Sequence, residues 1–132
     1  MTAARSIEAP GFDQVSWGGW CPVQAMGWVD GCAIYFRARG SAWRIEIGRG
    51  PEVTEYETPA HVAWAFSGTY GDMGDAGWMC DADVRWCIHV AVAVWRSRGG
   101  RSGPAGVVTL RAPFVPAFDP LAMWSLPAEA SR

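Results

Sequence analysis

Two arginines, Arg37 and Arg44, are the residues of this sequence whose spacing has the clearest chemical consequence. Arginine binds carboxylates and phosphates through a flat guanidinium group that offers several hydrogen-bond donors at once. Like charges that lie directly opposite each other destabilise a β-sheet. If strand pairing holds these two side chains next to each other on an outer surface, we expect that surface to bind an anionic or acidic partner.

Three consecutive segments, residues 23–30, 32–39 and 42–48, predict an antiparallel β-meander. Asp30-Gly31 and Gly40-Ser41 separate the segments, and such pairs favour the tight two-residue turns of β-hairpins. Loops of this length determine the register of the strands. The residues that face each other across the meander therefore follow by counting from the turns.

The register arranges the outward-facing side chains of the meander in cross-strand rows. Gln24, Arg37 and Arg44 form one row, and Met26, Tyr35 and Glu46 form the next. The predicted partner-binding residues, called the outer-face residues below, are Gln24, Met26, Trp28, Tyr35, Arg37, Arg39, Arg44 and Glu46. Tryptophan, tyrosine and arginine dominate protein-binding hot spots, and the same residue types stack bases and hold phosphates in nucleic-acid-binding proteins.

Three interpretations of the outer-face residues remain open at this stage. They bind a protein partner, they bind a nucleic acid or a nucleotide, or the C-terminal segment or the N-terminal arm of the same chain covers them. The first two interpretations require that the surface stays accessible. The third makes the paired arginines part of the fold.

The opposite face of the meander explains why it forms. Apolar residues alternate with the outward set, and they are Val23, Ala25, Gly27, Ile34, Phe36, Ala38, Trp43, Ile45 and Ile47. Alternation with a period of two is typical of a strand that is buried on one side. A slip by one residue would expose the whole apolar set, so the register is strongly specified. Gly27 is the exception in this row and predicts a bulge or a close approach of the helix.

One helix is predicted from Cys80 or Asp81 to about Ser97, with Gly99-Gly100 ending it. The face turned to the sheet is expected to hold Val84, Cys87, Ile88, Ala91 and Trp95. The apolar stripe extends further, through Trp86, Val90 and Val94. We expect the C-terminal segment to cover this flank, or a second copy of the chain in a homodimer.

These elements predict an α+β fold, with a small antiparallel β-meander packed against one main helix and an extended Pro-rich C-terminal strap. A chain of 132 residues is expected to form a single domain, residues 1–132. Its predicted parts are a flexible arm at 1–14, the α+β body at 15–111 and the strap at 112–132. Within the body we expect a short edge segment at 15–20, strands at 52–58, 62–66 and 107–111, and a loop at 67–77.

Composition narrows the functional classes. The formal net charge of −2 gives no general attraction to nucleic acid or membrane. The longest apolar run, residues 86–95, is too short to cross a bilayer, and no secretion signal opens the chain. We therefore expect a cytoplasmic protein with reduced cysteines and no membrane partner. The nine tryptophans are many for one small core, and the candidates for partner contact are Trp17, Trp20, Trp28, Trp78 and Trp124.

Catalysis and cofactor binding find little support in the sequence. His61 and His89 are the two histidines, and neither lies in a known catalytic motif. Cys87 and His89 would point in nearly opposite directions on a helix, which argues against a zinc site. We therefore predict no enzyme activity, no cofactor and no metal. A small hydrolase or transferase built around His61 or Glu46 remains the weakest alternative.

Part of the chain resembles a group of short proteins encoded by bacteriophages, prophages and other mobile elements. The shared pattern is a CPVQA-type strand at 21–25, a DG turn at 30–31, YFRARG at 35–40 and Trp43. A later Ala-Gly-Trp-Met, residues 76–79, leads into the helix and also matches. The resemblance covers about residues 21–96 and leaves the N-terminal arm and the Pro-rich tail outside it.

Such genes often act in conflict with the host, and the resemblance implies no catalytic residues. It implies a non-enzymatic binding protein of a phage or mobile element that inhibits a bacterial defence component, as anti-CRISPR proteins do. Its expected mechanism is occlusion of an acidic or nucleic-acid-binding site. The alternative is a sponge that sequesters an anionic nucleotide signal in a pocket holding Trp28, Tyr35 and an arginine.

Overall fold

One seven-stranded β-sheet dominates the computed structural model, which describes residues 5–110. The strands follow each other across the sheet in chain order, and neighbours are antiparallel except for the last pair, which is parallel. They are β1 (Ser6–Ile7), β2 (Phe12–Gly18), β3 (Val23–Val29), β4 (Cys32–Arg39), β5 (Ala42–Gly48), β6 (Val62–Thr69) and β7 (Gly106–Thr109).

The helix α1 (Asp81–Ser97) connects β6 to β7. A parallel pair of strands needs such a crossover, because the chain must return to the first end of the sheet before the next strand begins. Short 3-10 helices lie on both sides of α1, at Asp75–Trp78 and Gly100–Ser102. The predicted helix is thus confirmed, including its start after Cys80 and its end before the two glycines.

The central strands β3, β4 and β5 have the register that the two turns predict. Gln24 pairs with Arg37, which pairs with Arg44 on the other side. Met26, Tyr35 and Glu46 form the neighbouring row, and Trp28 pairs with Ala33. A two-residue turn allows only one pairing of the flanking strands. The register can therefore be found by counting residues outward from each turn.

The inner face of this meander and the helix form one core. All the predicted inward side chains of β3, β4 and β5 are at most 1% exposed. They pack with the buried face of α1, which holds Val84, Cys87, Ile88, Ala91, Val92 and Trp95. Val90 and Val94 are partly buried against the same core, whereas Trp86 is 42% exposed. The core therefore covers part of the apolar flank of the helix, and Trp86 stays exposed.

Gly27 marks a close approach of backbone, but the neighbour is β2 and not the helix. A Cβ atom at Gly27 would lie 2.7 Å from the Cα atom of Val15 and 2.8 Å from the carbonyl oxygen of Gln14. The bulge lies in β2, where the register shifts between Asp13 and Ser16 and Gln14 has a φ of 56°. A glycine is needed in β3 because the bulged strand crosses directly over it.

The predicted flexible arm at residues 1–14 is wrong where the structure describes it. Ser6–Ile7 pairs with Ser16 and Val15 of β2, and Ile7 is 5% exposed. The segment predicted as a short edge at 15–20 belongs to β2 up to Gly18, and β2 is an interior strand because β1 forms the edge. These strands are short and pack through a few apolar residues. The sequence therefore shows no long alternation here from which a strand could be predicted.

Other boundaries also differ from the sequence-based expectations. Residues 52–58 form a loop rather than a strand, closed by an isolated bridge between Val53 and Pro59. The strand expected at 62–66 continues to Thr69, so the first residues of the expected loop at 67–77 belong to β6. The strand expected at 107–111 is present as β7, residues 106–109.

The fold is α+β and is dominated by its sheet. The Pro-rich strap predicted at residues 112–132 lies outside the described residues. Within residues 5–110, no helix has the length and apolar character needed to cross a membrane.

Candidate functional site

The outer-face residues all lie on the side of β3, β4 and β5 that faces away from the helix. Arg37, Arg39 and Arg44 are exposed. The other five are half-buried, namely Gln24, Met26, Trp28, Tyr35 and Glu46. The structure therefore brings the whole predicted set onto one surface, with its positive groups outermost.

Positive charge is in excess on this surface. Arg44 donates a hydrogen bond from Nε to Oε2 of Glu46 over 3.1 Å, and the two residues lie on the same strand. Arg37 and Arg39 make no ion pair within residues 5–110. One carboxylate thus compensates one of three guanidinium groups, and the cross-strand pair of Arg37 and Arg44 keeps an unbalanced repulsion.

Tyr35 and Gln24 join the two halves of the surface. The Tyr35 hydroxyl donates to Oε1 of Gln24 over 2.7 Å. Burial raises the pKa of Tyr35, the Arg37 charge lowers it and the Glu46 charge raises it, with a net shift upward. The hydroxyl therefore stays protonated at neutral pH and donates to Gln24, the cross-strand neighbour of Arg37.

Two open depressions lie on either side of this hydrogen bond. One has a volume of about 650 Å³ and is lined by Tyr35, the three arginines and Glu46, among others. The other has a volume of about 500 Å³, and its lining includes Gln24, Met26, Trp28 and Glu57. The surface therefore offers two neighbouring depressions, a basic hollow lined by arginines and a groove lined by Met26 and Trp28 together with polar residues.

The loop between β5 and β6 forms one wall of the groove that holds Met26 and Trp28. The indole nitrogen of Trp28 donates to the carbonyl oxygen of Pro51 over 3.0 Å, which fixes the ring against the loop. Thr54 closes the loop through its backbone N–H, which donates to Thr58 over 2.7 Å, and through a 2.8 Å contact between the two hydroxyl groups. Trp28 and Tyr35 consequently line different depressions.

A second aromatic cluster lies at the end of the sheet where α1 begins. The rings of Trp20 and Trp78 stack with centroids 5.5 Å apart and planes 26° apart. The guanidinium group of Arg5 lies 4.7 Å from the centroid of Trp20. Asp81 accepts hydrogen bonds from Arg5 Nε over 3.1 Å and from Trp17 Nε1 over 2.9 Å.

The histidines and cysteines do not gather into a site. His89 lies against Phe12 with ring centroids 5.2 Å apart, and His61 is an exposed residue next to β6. Burial raises the pKa of Cys32, Cys80 and Cys87, which keeps these thiols protonated at neutral pH. In the described part of the chain, no three His, Cys, Asp or Glu residues lie close enough to hold a metal ion.

A buried polar pair connects the sheet to the start of the helix. The Tyr70 hydroxyl donates to Oδ2 of Asp83, a residue that is 1% exposed. Burial raises the pKa of Tyr70 strongly, and the hydrogen bond to Asp83 raises it further. This pair lies in the core rather than in a depression, so we assign it to the stability of the fold.

Sequence reasoning named Trp20 and Trp78 as separate candidates and missed their contact. The residues are far apart in the chain, and the contact depends on a backbone hydrogen bond from Cys21 N to the carbonyl oxygen of Gly77 over 2.9 Å. Two exposed tryptophans next to glycines were the signal, but no local pattern joins them. Arg5 and Asp81 were missed as members of the cluster for the same reason.

Comparisons of the chain with protein-family models, with curated proteins and with solved structures give no match.

Proposed function

We propose that this chain is a non-enzymatic binding protein that attaches its outer-face residues to an acidic protein surface. The observation that carries the proposal is the exposed cross-strand pair of Arg37 and Arg44, in which a single glutamate compensates Arg44. A bound carboxylate would relieve the repulsion between the two guanidinium groups, which gives an acidic partner a gain that a neutral partner lacks.

The shape of the surface favours a protein over a small molecule. Ligand sites for small molecules are usually concave and bury most of the ligand. Here the basic hollow is open, and it continues along a sheet face of three strands. A partner protein can cover both depressions at once, with carboxylates at the arginines and apolar side chains at Met26 and Trp28.

The proposed mechanism is steric occlusion. Binding over an acidic or nucleic-acid-binding site would block that site without any chemical step. The resemblance to phage and mobile-element proteins makes a bacterial defence component the partner that we propose, in the manner of an anti-CRISPR protein. Electrostatic steering by the arginines would speed the encounter and would weaken as salt concentration rises.

The test is affinity capture from lysate of a bacterial host with the wild-type chain and the double variant Arg37→Glu/Arg44→Glu. We expect the variant to lose the captured partner and to keep its thermal stability. The control is Arg49→Glu/Arg101→Glu, which changes net charge equally at two exposed arginines outside the outer-face residues. Retained capture by the first variant, or equal loss in both variants, would contradict the proposal.

A second candidate, an anionic nucleotide, is supported by the basic hollow alone. Tyr35 and three arginines line it and could hold phosphates next to an aromatic ring. Trp28 lines the other depression, so a nucleotide in this hollow would not stack on it. A rise in melting temperature with cyclic or linear nucleotides, abolished by Arg37→Glu/Arg44→Glu, would favour this candidate over the protein partner.

A further inference from the structure

The stacked pair of Trp20 and Trp78 leaves about half of its aromatic surface exposed to solvent. Trp20 is 48% exposed and Trp78 is 60% exposed, although both rings belong to an ordered cluster. Tryptophan is among the residue types most enriched in binding hot spots. This cluster lies outside the outer-face residues and takes no part in the proposed arginine contact.

Charged and polar partners hold the pair in place before any ligand arrives. Arg5 lies over the Trp20 ring and forms an ion pair with Asp81, the first residue of α1. Trp17, which donates to the same carboxylate oxygen, is 6% exposed and anchors this network in the core. Side chains that are already ordered lose less conformational entropy on binding, which favours affinity.

The pair lies at the end of the sheet that also holds the arginines. The backbone N–H of Cys21 donates to Gly77, and the N–H of Ala76 donates to Gly40 over 2.8 Å. Gly40 directly follows Arg39 in the turn between β4 and β5. The 3-10 helix that carries Trp78 is therefore attached to Gly40, which itself lines the basic hollow.

The exposed area of the pair is too small to hold a partner alone. A tryptophan presents at most about 250 Å², so the two exposed fractions leave roughly 270 Å². A stable interface buries about 800 Å² on each side. A dimer of two copies joined through this pair would fall well short of that area. The pair is better explained as part of a larger footprint that includes the neighbouring arginines.

The geometry of the stack excludes a nucleobase inserted between the two rings. Such a base needs rings about 7 Å apart, whereas these centroids are 5.5 Å apart and the rings already contact each other. A protein side chain needs no such gap, because it can pack on the exposed edges and the free ring surface. A base stacked on that same outer surface is distinguished from a protein side chain by the oligothymidylate measurement below.

We infer that Trp20 and Trp78 form an anchor site for a bulky apolar side chain of the same acidic protein that Arg37 and Arg44 bind. This inference rests on the proposed function, because it assumes that the arginines bind carboxylates. The partner would then carry an apolar side chain at the border of an acidic patch. The arginines would set the association rate, and the tryptophans would slow dissociation.

Two labelled peptides of twelve residues serve as defined probes. The first alternates glutamate and serine, and the second is identical except for phenylalanine at both terminal positions. Twelve extended residues span up to about 40 Å. Fluorescence anisotropy at low salt measures the affinity of each peptide for the full chain and its variants.

We expect the wild-type chain to bind the phenylalanine peptide about tenfold more tightly than the plain acidic peptide. Trp78→Ala should reduce this preference to less than twofold and leave binding of the plain peptide unchanged. The double variant Trp20→Ala/Trp78→Ala should behave in the same way. Tyr56→Ala is the matched control, because this aromatic residue is 76% exposed and lies in the loop between β5 and β6, outside the cluster.

The outcomes separate the anchor site from the proposed function. If Arg37→Glu/Arg44→Glu weakens both peptides while Trp78→Ala changes neither, the anchor site is refuted and the arginine contact stands. If the arginine variant changes the affinity for neither peptide, the proposed function is refuted. Failure of the wild-type chain to bind the phenylalanine peptide, or to prefer it, refutes the anchor site.

Two further measurements complete the test. Tighter binding of an oligothymidylate of twelve nucleotides than of either peptide, lost in Trp78→Ala, would refute a protein side chain as the occupant. Sedimentation that shows a wild-type dimer and a Trp78→Ala monomer would refute it in favour of self-association. Circular dichroism checks the folding of each variant. Loss of the coupled tryptophan signal in Trp78→Ala and in the double variant, but not in Tyr56→Ala, checks the stack.

Discussion

The two faces of the meander are built from the same three strands and differ in almost every physical property. The inner face of β3, β4 and β5 consists of apolar side chains that are at most 1% exposed. The outer face holds three exposed arginines and one glutamate. Burial of the inner face stabilises the sheet. The exposed outer side chains contribute little to that burial, so they can serve another purpose such as binding.

Substitutions on the two faces should change the free energy of unfolding by different amounts. On the inner face, packing determines which side chains are tolerated, and a change of one residue is costly. On the outer face, the cross-strand pair of Arg37 and Arg44 is a local cost that the fold can bear. Four substitutions test this difference between the faces through the free energy of unfolding, and their effects should decrease in the order given.

Phe36→Ala should cause the largest loss of stability. Phe36 is fully buried, and its ring lies 6.1 Å from the ring of Trp43 between centroids. Loss of its transfer free energy together with the resulting cavity should lower the free energy of unfolding by about 3–5 kcal/mol. Urea unfolding followed by tryptophan fluorescence measures it. A loss below about 1 kcal/mol would mean that the inner face is not the stabilising face.

Gly27→Ala should be the next most harmful change, although it adds a single methyl group. The new Cβ would lie 2.7 Å from the Cα atom of Val15, and the φ of 154° disfavours a side chain. We expect a loss of roughly 2–3 kcal/mol, because backbone of β2 must move. Gly18→Ala is the control, since no atom lies within 4 Å of its Cβ position. Equal effects of the two changes would rule out the close approach.

Tyr70→Phe tests the buried polar pair beneath the inner face. Removing the hydroxyl leaves the Asp83 carboxylate without this donor, and the free energy of unfolding should fall by about 1.5–2 kcal/mol at pH 7. Chemical denaturation at a series of pH values measures both this loss and its pH dependence. Tyr56→Phe is the control, because this tyrosine is 76% exposed.

The pH dependence has a definite sign. Burial and the hydrogen bond to Asp83 raise the pKa of Tyr70 in the folded chain. The unfolded chain therefore loses this proton first, at about pH 10. The stability that this group contributes is complete below that pH and falls as the pH rises above it. The decline above pH 10 should be weaker in Tyr70→Phe than in the wild-type chain, and an unchanged decline would contradict the assignment.

Arg37→Glu should have the smallest effect on stability, and the effect should be favourable. A carboxylate at this position would face Arg44 across the strands and replace a repulsion by an attraction. We expect a gain of up to about 0.5 kcal/mol, or roughly 2 °C in melting temperature, measured by calorimetry. A clear loss of stability would show that the arginine pair is part of the fold and would remove its value as a binding surface.

The meander and its eight outer-face residues were predictable because the information is local. Asp30-Gly31 and Gly40-Ser41 set the loop lengths, and strict alternation from Ile34 to Ile47 set the faces. The helix was predictable for a similar reason, since acidic residues precede an apolar stripe and two glycines follow it. In these elements the local preferences and the tertiary contacts agree.

The edges of the sheet were not predictable from local patterns. Gln14 lies in a bulge that interrupts the alternation of apolar and polar residues in β2. The seven residues of β2 therefore lack the pattern that predicts a strand. Ser6–Ile7 is too short to carry a period. The loop at 51–57 covers one side of Trp28 through a bond to the Pro51 carbonyl oxygen, which no sequence pattern announces.

The local sequence specifies which side chains share a face, because a tight turn and a period of two leave one register for the central strands. Long-range packing specifies which of those side chains stay exposed and which distant residues contact them. Trp20 meets Trp78, and Arg5 meets Asp81, through contacts that span 58 and 76 positions of the chain. Such contacts form only after the fold has brought distant loops together at the end of the sheet. Their contribution to stability therefore cannot be inferred from any one segment of the sequence.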